Sequence, residues 1–151
     1  MQIAAESPKQ TAVIAMLDQL DAYCAALYPA ESNHLMDIDS LTRSEVTFLV
    51  ARDGAGRAVG CGAVVAREGY GEVKRMFVDA SQRGKGVGGL LLAELARRAA
   101  TAGLPCLRLE TGIHQPEAIG LYQRDGFVRR APFGDYQLDP LSIFMEKALQ
   151  P

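Results

Sequence analysis

The chain is poor in the residues that build cross-links and metal sites. Its 151 residues include three cysteines, Cys24, Cys61 and Cys106. Their number is odd, their spacing is wide and no Cys-x-x-Cys pair occurs. That excludes a disulfide frame or a thiolate zinc site and points to reduced, partly buried thiols. No metal is expected. A basic excess is also missing: 16 Lys and Arg stand against 18 Asp and Glu, for a net charge of −2 and a pI near 5.7. A nucleic-acid surface usually needs the opposite balance, so no nucleic-acid partner is expected. No apolar run is long enough for a membrane span, since Leu90-Leu91-Leu92-Ala93 is cut by Glu94. The stretch Met1–Ser7 carries Glu6 and lacks the basic and apolar regions of a secretory leader. Internal repeats and low-complexity tracts are absent. What remains is an ordinary globular composition, 48% hydrophobic and 23% charged. It is expected to form one domain over residues 1–151, in the cytoplasm.

Against that background one stretch stands out. Val73 to Val78 has strand character, Asp79 to Arg83 is a short polar approach, and Arg83-Gly84-Lys85-Gly86-Val87-Gly88-Gly89 opens into a strongly helical segment. A helix start presents backbone N–H groups without intrahelical acceptors, and the helix dipole adds partial positive charge there. Glycine keeps Cβ atoms away from a close ligand, and Arg83 and Lys85 add formal charge. Such a turn suits a phosphate or pyrophosphate.

The rest of the chain reads as alternating strands and helices. Met1–Glu6 is a short edge strand. Ser7-Pro8 has the look of an N-cap followed by N1, with Val13, Ile14, Leu17, Leu20, Cys24 and Leu27 at helical spacing and Pro29 as the stop. A polar segment with room for a short second helix follows. Val46–Arg52 and Ala58–Arg67 form a hairpin around Asp53-Gly54-Ala55-Gly56, and Gly60 and Gly62 mark a bulge or close packing. Glu72–Val78 is the next strand. The helix after the glycines ends at Ala102-Gly103 before Pro105. A strand at Cys106–Thr111, a helix from Pro116 to Arg124 and strands from Phe127 and Leu141 complete a mixed sheet flanked by helices.

Three phosphate-binding turns compete for the glycines. A Walker loop requires Ser or Thr after its Lys, and Lys85 is followed by Gly86. The dinucleotide fingerprint matches Gly84-x-Gly86-x-x-Gly89, with Glu110 at nearly the expected distance. Its glycines, however, follow their strand directly. Here Asp79–Arg83 intervene, a hairpin precedes the motif, and little chain remains after Glu110. The third pattern is Gln/Arg-x-x-Gly-x-Gly/Ala, filled by Arg83, Gly86 and Gly88. About thirty residues later comes Ala118-Ile119-Gly120-Leu121-Tyr122-Gln123-Arg124-Asp125-Gly126-Phe127, and paired motifs are more specific than glycines alone.

With these motifs the sequence resembles the GCN5-related N-acetyltransferases (GNAT) over nearly its whole length, in the small bacterial single-domain form. The resemblance implies an α/β (α+β) fold: a mixed, mostly antiparallel sheet of about seven strands, flanked by about four helices and splayed between the fourth and fifth strands. It implies acetyl-CoA as co-substrate, with the pyrophosphate on Arg83, Gly84, Lys85, Gly86, Val87, Gly88 and Gly89. The pantetheine arm would add like a strand beside Met76, Phe77 and Val78, in a gap opened by a β-bulge. Where the family often holds that arm with Asn, this chain has Gln115, the same amide one methylene further out, followed by Pro116.

Acyl transfer from a thioester to an amine needs a neutral amine, a stabilised oxyanion and a proton for the departing thiolate. Tyr122 stands where the family places its general acid. A phenol, with a pKa of about 10, is a slightly weaker acid than a thiol, so it helps mainly through a positioned hydrogen bond to sulfur. Backbone N–H groups near Met76 to Val78 are natural oxyanion donors. Two carboxylates compete as base. Glu72 is expected on the face shared with Lys74, Met76 and Val78, and Glu110 ends the next strand at the splay; His114 could relay a proton. The acceptor roof would bring Tyr28, Glu31, His34, Asp37 and Asp39 from one loop and Phe133, Asp135 and Tyr136 from another. Lys74, Arg75 or Arg108 could hold an acceptor carboxylate. That mixture suits a small polar amine, acetylated by direct transfer in a ternary complex. A protein N-terminus or lysine is the alternative acceptor, and a non-catalytic acyl-CoA sensor the alternative role. A homodimer is left open.

Overall fold

The computed structural model of the chain describes residues 1–150. Seven strands and three α-helices follow the expected order. They are β1 (Gln2–Ala5), α1 (Thr11–Leu27), β2 (Val46–Arg52), β3 (Ala58–Arg67), β4 (Tyr70–Val78), α2 (Val87–Thr101), β5 (Cys106–Gly112), α3 (Pro116–Arg124), β6 (Val128–Arg130) and β7 (Ser142–Ala148). The strands form one sheet in the order β1-β2-β3-β4-β5-β7-β6, antiparallel except between β4 and β5.

Two local expectations are corrected. The segment after α1 makes no α-helix, only 3-10 turns at Ala30–Ser32 and Ser40–Thr42. Of those turn residues only Ser32 and Leu41 are buried, too little apolar surface for an amphipathic stripe. Helix α1 starts at Thr11, with Gln10 rather than Ser7 as N-cap. The Ser7 hydroxyl accepts the Lys9 N–H in a turn, and Glu6 is bound to Arg52 at 2.7 Å, so the chain must first leave the sheet edge. The buried stripe is also narrower than expected: Val13, Met16, Leu17, Leu20 and Cys24 face inward and Ile14 is exposed.

The sheet is buried on both sides, as the nearly unbroken apolar run of β3 requires. Leu49, Ala51, Val59, Val64 and Val73 pack with Leu91, Leu92 and Leu95 of α2. Phe48, Val50, Cys61, Ala63 and Phe77 pack with Val13, Leu17 and Leu20 of α1. Each such large aliphatic or aromatic side chain contributes about 1.5–3 kcal/mol of burial.

β4 is interrupted by the feature that shapes the site. Its register against β3 slips between Cys61 and Ala63, and Arg75 takes a left-handed backbone conformation with φ 59°. That conformation costs a non-glycine residue about 1–2 kcal/mol. The buried Arg75 guanidinium bonds Asp21 at 2.6 Å and the Leu17 carbonyl at 3.4 Å, which pins the bulge to α1, while its Nε finds no acceptor. The bulge also exchanges faces. Glu72 and Lys74 turn toward His34 and Tyr136, whereas Met76 and Val78 pack on the α2 cluster. Glu72 thus does not share a face with Met76 and Val78, because the extra residue breaks the strand's alternation.

β4 and β5 pair only at Gly71–Leu107 and Glu72–Arg108. Beyond that point they part, and the edge of β4 from Val73 onward faces a gap.

Candidate active site

The gap between β4 and β5 holds a cleft of about 90 Å³. Val73, Lys74 and Met76 line it from β4, Glu110, Thr111 and Gly112 from β5, Tyr122 from α3, and Tyr28 from the end of α1.

Tyr122 reaches the cleft because α3 begins at Pro116, whose fixed φ suits a first helical position, and runs back toward the sheet. Its ring is buried, edge-on to Phe127 at 5.7 Å. Burial first, then the nearby Glu110 charge, raises the phenol's pKa well above its ordinary value, so the hydroxyl stays a neutral donor. Glu110 is raised above the usual carboxylate range by burial. The Ser142 hydroxyl, donating at 2.9 Å, and the charges of His34 and Lys74 pull against that rise. A carboxylate so placed accepts a proton more readily than an ordinary one.

Glu72 is differently placed. It is 3% exposed and fully partnered, receiving Arg67 at 3.2 Å and the Tyr136 hydroxyl at 2.6 Å, with Lys74 Nζ at 3.6 Å. It faces an outer cleft of about 610 Å³, lined also by Glu31, Arg67, Asp135, Tyr136 and Asp139. Lys74 stands in the wall between the clefts. Its ammonium donates to the His34 carbonyl at 2.6 Å and to the Tyr136 hydroxyl at 2.8 Å, and the His34 ring meets Tyr136 edge-on at 5.1 Å. Burial lowers the Lys74 pKa against the pull of Glu72 and Glu110.

The remaining sequence candidates fall in several places. Arg75 lines the inner cleft while its guanidinium is committed to Asp21. Arg108 is held by Glu146 at 2.6 Å and lies over the Tyr70 ring at 4.5 Å. Glu31 is on the exposed rim of the outer cleft. The Phe77 ring belongs to the α1-side core, so toward the gap this residue offers backbone alone. Gln115 lines the inner cleft and His114 stacks on Tyr28. Sequence reasoning missed Arg67, Thr111 and Ser142. Arg67 and Ser142 act through cross-strand register, Ser142 lying opposite Gly112 on β7, and no local pattern marks them.

The glycine turn has the form a pyrophosphate needs. Gly84 and Gly86 have φ of 78° and 82°, and Gly86 is the N-cap of α2, with no side chain capping the helix. A Cβ built on Gly84, Gly86 or Gly89 would meet nothing within 4 Å, so their backbone faces open space. Arg83 Nε bonds the Val78 carbonyl at 3.2 Å, tying the turn to the end of β4. The uncapped N–H groups, the open space and the unpaired β4 edge fit a CoA-type ligand. Gly88 also serves packing, since a Cβ there would come within 2.8 Å of Leu121 on α3. Gly88→Ala is therefore expected to cost about 1–3 kcal/mol by overpacking. A melting scan should show Tm lower by roughly 2–12 °C, and an unchanged Tm would mean Leu121 yields freely.

Among the described residues no helix is long and apolar enough to cross a membrane, and no group of His, Cys, Asp or Glu is placed to hold a metal ion. Residues 13–127 match the model of the Acetyltransferase (GNAT) family. The chain is similar to the IAA acetyltransferase of Azospirillum brasilense, with 52% identity over 149 residues covering 97% of each protein. It is similar in fold and sequence to a Klebsiella pneumoniae protein provisionally described as an acyl-CoA N-acyltransferase. That likeness has a TM-score of 0.83 and 41% identity, covering 99% of this chain and 97% of the other. An aminoglycoside 6'-N-acetyltransferase complexed with coenzyme A shares the fold, with a TM-score of 0.76, 17% identity and coverage of 100% and 98%. Matched by the family model from α1 to the end of α3, and by a relative along almost its entire length, the chain belongs to the acetyltransferase (GNAT) family and is an N-acetyltransferase by class.

Proposed function

We propose that the chain transfers an acetyl group from acetyl-CoA to a primary amine of a small polar molecule, directly and in a ternary complex. One observation carries this reading: Glu110 and Tyr122 line the same small cleft at the point where β4 and β5 part. Acetyl-CoA, when bound, supplies an activated acyl thioester. The glycine turn from Arg83 to Gly89 holds its pyrophosphate, and the β4 edge at Met76, Phe77 and Val78 pairs with its arm. Backbone N–H groups there donate to the thioester oxygen as negative charge develops on it. Glu110 takes the amine's proton, because its carboxylate is buried and short of cationic partners. Tyr122 donates to the departing sulfur. Glu72, occupied by Arg67 and Tyr136, acts as a positioning residue for the wall that Tyr136 and Lys74 form.

The acceptor's body lies in the larger outer cleft beside Tyr136 and Asp135, which shares His34 with the inner one. Tyr136→Phe removes the bond to Glu72 and the acceptor of Lys74. It should raise the KM for the amine roughly tenfold and leave that for acetyl-CoA unchanged; an equal rise in both would place Tyr136 elsewhere in the mechanism.

Thiol release from acetyl-CoA, followed with DTNB over a panel of amino acids, polyamines, amino sugars and peptides, tests the main reading. The panel should include IAA, for which the Azospirillum relative is named. Turnover confined to peptides would move the acceptor to the macromolecular class. Acetyl-CoA binding without turnover on any member would leave an acyl-CoA sensor.

A further inference from the structure

We propose that Tyr28 is a positioning residue for the cofactor arm: its hydroxyl orients the side-chain amide of Gln115 so that Nε2 faces the cleft as a donor to a carbonyl oxygen of bound acetyl-CoA. This rests on the acetyl-CoA reading above. Tyr28 sits at the C-terminal end of α1, its N–H bonded to the Cys24 carbonyl at 3.0 Å. Its ring crosses to the turn between β5 and α3 and stacks on His114, with centroids 5.6 Å apart and planes 17° from parallel. The hydroxyl accepts the His114 N–H at 3.1 Å and donates to Gln115 Oε1 at 3.2 Å. The same Oε1 accepts the Gly112 N–H at 3.2 Å.

A backbone N–H only donates, so the amide atom facing Gly112 must be the oxygen, and the orientation of Gln115 follows from chemistry. Both acceptor sites of Oε1 are taken. Nε2 bonds no acceptor among the described residues and is not fully buried, and Gln115 lines the cleft. Two free N–H groups at that edge match a carbonyl oxygen, and the cofactor arm is a chain of amides ending in a thioester. Gly112 makes the arrangement possible, because a Cβ there would collide with the Tyr28 hydroxyl and ring. Burial raises the Tyr28 pKa, so the phenol keeps its proton and goes on donating. Tyr28, placed on the acceptor roof by the order of the chain, thus spends its hydroxyl on the cofactor side.

Calorimetric titration of the full chain with acetyl-CoA tests this without an acceptor. Gln115→Glu keeps an oxygen for Gly112 and Tyr28 but has no donor, and should weaken binding roughly ten- to a hundredfold. Tyr28→Phe keeps the ring stack and should weaken it roughly three- to tenfold. In a Gln115→Ala background the Tyr28→Phe step should cost nothing further, because no amide remains to be oriented. An equal loss in both backgrounds overturns the proposal, as does wild-type affinity in Gln115→Glu. A wild-type chain that binds no acetyl-CoA removes the acetyl-CoA reading itself, an outcome distinct from failure of the variants alone.

Discussion

Glu110→Gln should lower kcat roughly a hundred- to ten-thousandfold and leave the KM for acetyl-CoA unchanged. The amide keeps the shape of the side chain and an oxygen for the Ser142 hydroxyl but cannot take a proton from the amine. The pH profile should change as well. Wild-type kcat/KM rises as Glu110 ionises, at a pH above the ordinary carboxylate range because burial raises its pKa. The Gln variant should lose that rising limb.

Stability should move the other way. The folded chain holds the Glu110 proton more tightly than the unfolded one, so stability falls as pH rises from the unfolded pKa through the raised folded one. Glu110→Gln removes this loss. The variant should therefore melt above the wild type at neutral pH and match it more closely in acid. Retention of most of the wild-type rate would transfer the base to Glu72. That outcome would require a carboxylate bonded to Arg67 and Tyr136 to free itself during turnover.

Tyr122→Phe is the second large effect, a fall in kcat of roughly ten- to a thousandfold. The buried ring and its edge contact with Phe127 are kept, so Tm and the KM for acetyl-CoA should hardly move. A structural defect would lower both rate and Tm; loss of a donor lowers the rate alone. The donor role has a sharper signature. An acetyl thioester whose thiol is more acidic than that of CoA depends less on a proton at sulfur, so its transfer should suffer less in the Phe variant. Equal losses on both thioesters would remove Tyr122 from the sulfur side of the reaction.

Much of the element order was legible because local signals bound each piece. The Asp53-Gly54-Ala55-Gly56 turn closes the hairpin of β2 and β3, and Pro116 and Gly126 bracket α3. Local signals failed where a longer contact overrode them. Ser7-Pro8 looked like a helix start, yet Glu6 is tied to Arg52 across the sheet and the helix begins later. The polar segment after α1 suggested a helix, and without an apolar stripe it makes only short turns. The candidate site divided in the same way. Tyr122, Glu110 and the glycine turn were visible as motifs, whereas the partners that set their properties, Ser142 for Glu110 and Arg67 for Glu72, lie on other strands.

By itself the sequence determined the strands and most of the helices, the glycine turn at the head of α2 and the membership in a family of acyltransferases, because these depend on residues close together in the chain. Tertiary structure alone decided which carboxylate is ion-paired. A bulge at Arg75, held by Asp21 on α1, turns Glu72 away from Met76, and the splay of β5 from β4 leaves Glu110 in the inner cleft. It also decided the partner of Gln115, since Tyr28 lies 87 residues earlier. Periodicity reports the face a side chain takes when its strand is regular. It carries no information about an extra residue in a strand or a contact closed by the fold as a whole.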